Sequence, residues 1–195
     1  MIELADVDTR LITRARSGDR QAAAALASLC GSDVYRLALY IFHKEDEARD
    51  AAADIFARLY ATPEKIPLEN FRAWLMRVTY NHCLDNLRRR KTLNRLLPKI
   101  YERQARLEQS PEEAVVEAGE QAEVRQAVAN LPEQERVIVF LRYYQQLSYT
   151  EISSVLGVPE ATVGTRLHRA REKLRKRLSD DRGGEGSNDA VCKSI

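Results

Sequence analysis

The sequence predicts an all-α protein of two small helical domains joined by a flexible linker, the second domain carrying a helix-turn-helix. Three observations predict this. Gly and Pro number only 8 and 6 in 195 residues, and apolar residues recur three and four apart along most of the chain, with little strand-like alternation. Apolar density falls from residue 93 to about 120, where Pro98, Ser110, Pro111 and a run of Glu stand. A short capped helix, a glycine and a longer basic helix then close the ordered part.

The first body spans residues 8–92, with helices expected near 8–17, 20–42, 45–61 and 68–91. The last two are separated by the loop Thr62-Pro63-Glu64-Lys65-Ile66-Pro67, the one pronounced break in that body. Residues 93–120 form the linker, with at most partial helix. In the second body, 121–178, helices are expected near 120–130, 133–146, 149–156 and 160–178, the first stopping before Leu131-Pro132 and the third at Gly157. The tail, 179–195, contains Gly183-Gly184-Glu185-Gly186-Ser187 and reads as disordered.

Composition narrows the function classes. The N-terminus MIELADVDTR is acidic and lacks an apolar core, and the Val137–Leu141 run is far too short for a bilayer, so neither secretion nor membrane contact is expected. Cys30, Cys83 and Cys192 are scattered without paired spacing, which fits a reducing cytoplasm and no metal site. His82 and Cys83 adjoin, but on a helix they point about 100° apart. No phosphate-binding glycine loop, H-E-x-x-H or nucleophile–base pair appears, so no catalytic residues and no cofactor are expected, and the chain reads as a non-enzyme. Net charge is +2, yet Arg88-Arg89-Arg90-Lys91 and the 166–177 stretch are strongly basic while 101–123 holds seven Glu against two Arg.

The sharpest local pattern lies in SYTEISSVLGVPEATVGTRLHRAREKLRKRL. Ser148 and Glu151 have capping-box spacing, Ile152, Val155 and Leu156 make one apolar face, and Gly157 supplies a left-handed exit. Pro159 opens the second helix, whose stripe Val163, Leu167, Ala170, Leu174 and Leu178 faces a core. The opposite face carries Ala161, Gly164, Thr165 and His168. Thr162, Arg166, Arg169 and Lys173 occupy one flank and Arg171 the other. That arrangement suits a major groove, with Thr165 and His168 near base edges and the cations against phosphates. A merely solvated basic helix is the bland alternative.

In the first body, Glu47, Asp50 and Asp54 share an exposed face, which read alone is either a solvated surface or a docking site. In FRAWLMRVTYNHCLDNLRRRK, one apolar face is Phe71, Trp74, Leu75 and Val78, and another is Met76, Tyr80, Leu84 and Leu87. Arg77, Asn81 and Arg88 remain as a polar strip. Trp74 reads as core packing rather than a base-stacking platform.

These features together resemble the sigma-70 family, specifically its small extracytoplasmic-function (ECF) group. Leu131-Pro132, Tyr143-Tyr144, Ser148-Tyr149, Thr162-Val163 and Arg169-Ala170-Arg171 match that group's fourth conserved region, and the 71–91 segment is similar to regions 2.3 and 2.4. Residues 8–92 and 120–178 follow the family's order, with nothing corresponding to the extra central domain of housekeeping sigma factors. Gly164 departs from the usual Lys or Arg, and Ala53 from a common Gln.

The resemblance implies a sigma factor that binds core RNA polymerase, directs it to promoters and assists melting. Polymerase contacts fall on the β′ coiled coil, through Asp46, Glu47, Asp50 and Asp54, and on the β flap. Minus-35 duplex is read by Thr162, Thr165, Arg166, His168, Arg169, Arg171 and Lys173. The melted minus-10 strand is held by Lys65, Ile66, Asn70, Arg77, Asn81 and Arg88, where a pocket beside the 62–70 loop receives an unstacked base. An anti-sigma factor is implied as a further partner, and the acidic 101–123 segment either mimics nucleic acid in a polymerase channel or is a solvated tether. A stand-alone helix-turn-helix regulator is the rival, but it leaves the first body without a role.

Overall fold

The computed structural model describes residues 9–96 and 120–181, and every described element is helical. Helix α1 (Thr9–Arg16) buries Ile12 and Ala15 and ends at Gly18, whose φ of 89° lets the chain reverse. Asp19 then caps α2 (Arg20–Phe42), its carboxylate accepting from the backbone N–H groups of Gln21 and Ala22 at 2.9 and 3.1 Å. By length and composition α2 could cross a membrane. It is instead the central core helix, burying Leu26, Cys30, Val34, Leu37, Ala38 and Ile41 against α1, α3 (Glu45–Ala61) and α4 (Phe71–Leu96).

Between α3 and α4 a single 3-10 turn, Pro63–Lys65, sets Ile66 into the core. Asn70, at φ 53°, then turns the chain into α4. Helix α4 buries Phe71, Leu75, Met76, Thr79, His82 and Cys83, and Thr79 Oγ1 donates to Leu75 O at 2.9 Å, so the hydroxyl is satisfied in an apolar setting. It runs to Leu96, past the end expected at 91, and the linker from 97 to 119 lies outside the described residues.

The second bundle holds α5 (Glu120–Ala129), α6 (Glu133–Val139), α7 (Tyr149–Leu156) and α8 (Glu160–Asp181). In place of the single helix expected over 133–146, the chain widens after Val139 into a π turn, Phe140–Tyr144, and Gln146 adopts φ 53°. Helix α7 begins with the expected capping box: the Glu151 backbone N–H donates to Ser148 Oγ at 3.2 Å while the Ser148 N–H donates to Glu151 Oε2 at 2.7 Å. Gly157 closes it at φ 65°, and Val163, Leu167, Ala170, Leu174 and Leu178 of α8 are all buried. Helix α8 continues to Asp181, into the first residues of the expected tail; 182–195 lie outside the described residues.

The two bundles are not packed as isolated bodies. The core of α1–α4 continues without a break through Val137, Ile138, Phe140, Leu141, Leu147, Ile152, Val155, Val163 and Leu167. A smaller core joins α5, α6 and the far end of α8 through Val124, Val128, Leu131, Val139, Ala170, Leu174 and Leu178. Leu167 is fully buried where α8 meets the larger core. Leu167→Ala is expected to cost about 2–5 kcal/mol in urea unfolding, whereas Leu93→Ala, at an exposed position, leaves stability within about 0.5 kcal/mol.

Candidate nucleic-acid and polymerase interfaces

The capping box, Gly157 and the buried stripe together aim α8. With that stripe fixed inward, Ala161, Thr165, His168 and Arg169 are exposed, while Thr162, Gly164 and Arg166 are half-buried. Thr165 Oγ1 donates to Ala161 O at 2.9 Å, which spends its hydrogen on the backbone and leaves its lone pairs facing out as acceptors. A Cβ on Gly164 would meet the Tyr149 ring at 3.7 Å, an ordinary contact, so packing does not require glycine there.

Two of the expected DNA-facing cations are held by the protein itself. Arg171 Nε donates to the Tyr143 hydroxyl at 2.6 Å and its guanidinium lies over that ring at 5.8 Å. Lys173 Nζ donates to Glu135 Oε1 at 2.8 Å. Sequence spacing along α8 cannot reveal either tie, because Glu135 belongs to α6 and Tyr143 to the π turn, with α7 lying between them and α8.

On the first bundle Arg77, Asn81 and Arg88 are exposed on α4, with Arg88 Nη1 reaching Asp85 at 3.3 Å. Lys65 and Asn70 are exposed in the loop. Ile66 corrects the expectation: its side chain is buried, so it anchors the loop and has no surface to offer a base. Trp74 is half-buried in the core against Phe71, ring centroids 6.0 Å apart. Tyr80 of α4 lies within electrostatic reach of Glu133 and Arg166 of the second bundle. Burial and then Glu133 push its hydroxyl above the usual range, with Arg166 and Arg88 pulling the other way.

The acidic face is also altered. Asp46, Asp50 and Asp54 are exposed, Asp46 pairing with Arg49 at 3.2 Å and Asp54 lying 3.8 Å from His82 Nε2. Burial, then Arg58, depresses the His82 pKa, so that imidazole is neutral. Glu47 departs from the expected stripe: it is half-buried and paired with Arg90 of α4 and with Lys44, so it braces α3 on α4.

Sequence reasoning missed the seam between the bundles. The segment after α6 docks onto α2: Phe140 meets Tyr40 edge-on at 5.5 Å, Arg36 lies over the Tyr144 ring at 5.6 Å, and Arg72 Nη1 donates to Gln145 O at 2.9 Å. At the other end, Arg136 donates to Ala129 O and, at 2.6 Å, to His43 Nε2. A guanidinium only donates, so His43 is neutral with its proton on Nδ1; burial and Arg136 both depress its pKa. All three non-glycine residues with positive φ, among those described, occur at this seam or its margin: His43 in its contact with Arg136, and Asn70 and Gln146 together in one cleft. Among the described residues no group of three or more His, Cys, Asp or Glu is placed to hold a metal.

The fold and these surfaces define a helix-turn-helix DNA-binding protein with a second helical bundle bearing a basic strip and an acidic face. The family model described as Sigma-70 region 2 matches residues 26–92, and that described as Sigma-70, region 4 matches residues 121–174. Over 178 residues the chain is 30% identical to the ECF RNA polymerase sigma factor SigW of Bacillus subtilis (strain 168), covering 87% of this chain and 95% of that one. CnrH, solved in complex with the cytosolic domain of CnrY, superposes with a TM-score of 0.60 at 26% identity, covering 90% of this chain and 99% of that one. The sigma factor RpoE of Bartonella quintana, solved with the anti-sigma factor NepR, shares the fold with a TM-score of 0.63 at 19% identity, over 81% and 97% of the two chains. The chain belongs to the sigma-70 family and is an ECF-type, polymerase-binding sigma factor. Reversing the exposed carboxylates together, Asp50→Lys with Asp54→Lys, is expected to weaken association with core RNA polymerase about tenfold or more in a pull-down titration, with unfolding unchanged.

Proposed function

We propose that α8 reads the minus-35 duplex, that α4 and the loop before it capture the melted minus-10 strand, and that Asp46, Asp50 and Asp54 dock on the polymerase β′ coiled coil, with the second bundle seated on the β flap. The observation that carries this is the two-sided character of α8. Its apolar stripe is fully buried while Thr165, His168 and Arg169 face out together. Thr162, Arg166, Arg171 and Lys173 flank them as phosphate contacts, Arg171 and Lys173 oriented by Tyr143 and Glu135. Lys65, Asn70, Arg77, Asn81 and Arg88 supply cations and polar edges for a single strand.

The protein makes and breaks no bonds. Melting is driven by binding energy, the unstacked bases being compensated by pocket contacts. The chain works in the cytoplasm and is held inactive by an anti-sigma partner; the solved complexes of CnrH with the cytosolic domain of CnrY and of RpoE with the anti-sigma factor NepR support that partner class.

Promoter engagement requires the seam to open. The minus-35 and minus-10 elements lie about 25 base pairs apart, on the order of 80 Å along B-form DNA. Yet Arg166 of α8 faces Tyr80 of α4, and α7 packs directly on α4. One duplex cannot reach both surfaces while they touch.

Run-off transcription with core polymerase across genomic fragments tests the assignment: discrete starts that depend on this protein are expected. Core activity unaffected by a protein that binds duplex DNA alone would return the chain to the class of stand-alone regulators. Arg169→Ala is expected to reduce promoter binding and lower the salt slope by about 1, leaving the polymerase complex intact.

A further inference from the structure

The seam holds one buried group that neither DNA nor polymerase binding uses. Asp33, on α2, is 8% exposed, and Gln145, which ends the π turn, is 1% exposed. Gln145 acts on the Asp33 carboxyl across the two bundles, and Asp33 Oδ2 and Gln145 Oε1 are both buried without a hydrogen-bond partner. A carboxylate only accepts, and a primary amide brings one accepting oxygen beside its donors. An ionised Asp33 therefore leaves one acceptor on each side chain without a hydrogen, in a place closed to water.

We propose that Asp33 and Gln145 form a proton-linked latch: the bundles close with Asp33 protonated and separate with Asp33 ionised. A proton on Asp33 neutralises the buried carboxylate and supplies a hydrogen where both trapped acceptors lack one. The proton comes from solvent on closing and returns to it on opening.

The surroundings fit a neutral acid. Two cations face Asp33, Arg36 from its own helix and Arg72 from α4, but each is turned to another acceptor: Arg36 to the Tyr144 ring and Arg72 to the Gln145 carbonyl. Burial outweighs the Gln145 hydrogen bond and both cations, and holds the Asp33 carboxyl above its ordinary 3.8. Cys30, one turn back on α2, adds no charge, since burial pushes its thiol to about 12.

In the separated state Asp33 regains solvent and its ordinary pKa. The closed form therefore binds the proton more tightly. The latch is fully engaged below the ordinary value, weakens as pH rises, and is weakest above the raised one. His43 acts in the opposite sense at the far end of the seam, because protonation below its ordinary 6.5 removes the acceptor that Arg136 uses.

The latch rests on the reading that the seam opens for promoter engagement, and one experiment separates the two. Donor and acceptor dyes are placed on the full chain through Ala57→Cys and Arg177→Cys, with Cys192→Ser. Both label positions are exposed, and Cys30 and Cys83 are fully buried. Energy transfer is followed from about pH 4, near the ordinary carboxylate value, to about pH 8. With native Asp33 the open population should rise with pH across the titration of Asp33, by at most about tenfold per unit for one proton. Asp33→Asn, which carries a donor at every pH, should stay closed throughout, with any residual slope contributed by His43 reversed. It should also lower run-off transcription several-fold at the alkaline end. Gln145→Glu, which sets a second acid against the first, should open the seam near neutral pH. An Asp33→Asn chain with the open fraction and slope of the native one overturns the latch while leaving the seam in place. A native chain open at every pH overturns the seam and the latch together, while the sigma assignment stands on run-off transcription.

Discussion

The arrangement of this sigma factor depends on how the turn after α6 seats against α2. Phe140 is fully buried against Tyr40, and Tyr144 is capped by the Arg36 guanidinium, so aromatic area from the second bundle completes the core of the first. Burying a ring of that size contributes about 1.5–3 kcal/mol. The π geometry follows from the same demand, since widening the helix by one residue turns Phe140, Leu141 and Gln145 inward together. Left-handed backbone at His43 and Gln146 is sustained where the two bundles grip each other.

That seam ties the two surfaces proposed to bind DNA to one another. Tyr80 stands between Arg88 of one bundle and Arg166 of the other. The cations proposed to contact phosphates are thus partly engaged inside the closed protein: Arg171 with Tyr143, Lys173 with Glu135, and Arg166 at the seam. Both Tyr143 and Glu135 lie on the second bundle, so the ties to Arg171 and Lys173 persist when the bundles part and keep those side chains pre-oriented. The Arg166 environment does not persist. Opening therefore changes the binding surface as well as the distance between its halves.

Helix faces are legible in the amino-acid order, because periodicity and capping are local. Val163, Leu167, Ala170, Leu174 and Leu178 all lie buried as their spacing requires, the Ser148–Glu151 box forms, and Gly157 takes the left-handed exit. Ile66 and Glu47 depart from their expected places for one shared reason. Ile66 stands in a loop where period carries no information, and Glu47 sits on a helix face whose exposure depends on whether Arg90, in another helix, comes across to it. The straight helix expected over 133–146 fails similarly, since the widening at Phe140 answers a partner helix a hundred residues away.

What the sequence by itself determined is the helical class, the helix-turn-helix, the outward-facing Ala161, Thr165 and His168, and the polar strip Arg77, Asn81 and Arg88. Each follows from contacts within a few residues or from a repeating face. Only the tertiary structure decided that the bundles close on one another and that Asp33 meets Gln145, Arg72 the Gln145 carbonyl, and His43 Arg136. Those pairs span from 73 to 112 residues, a separation at which no local spacing rule operates. Burial in a shared core, and the unpaired acceptors it traps, exist only once the chain has folded.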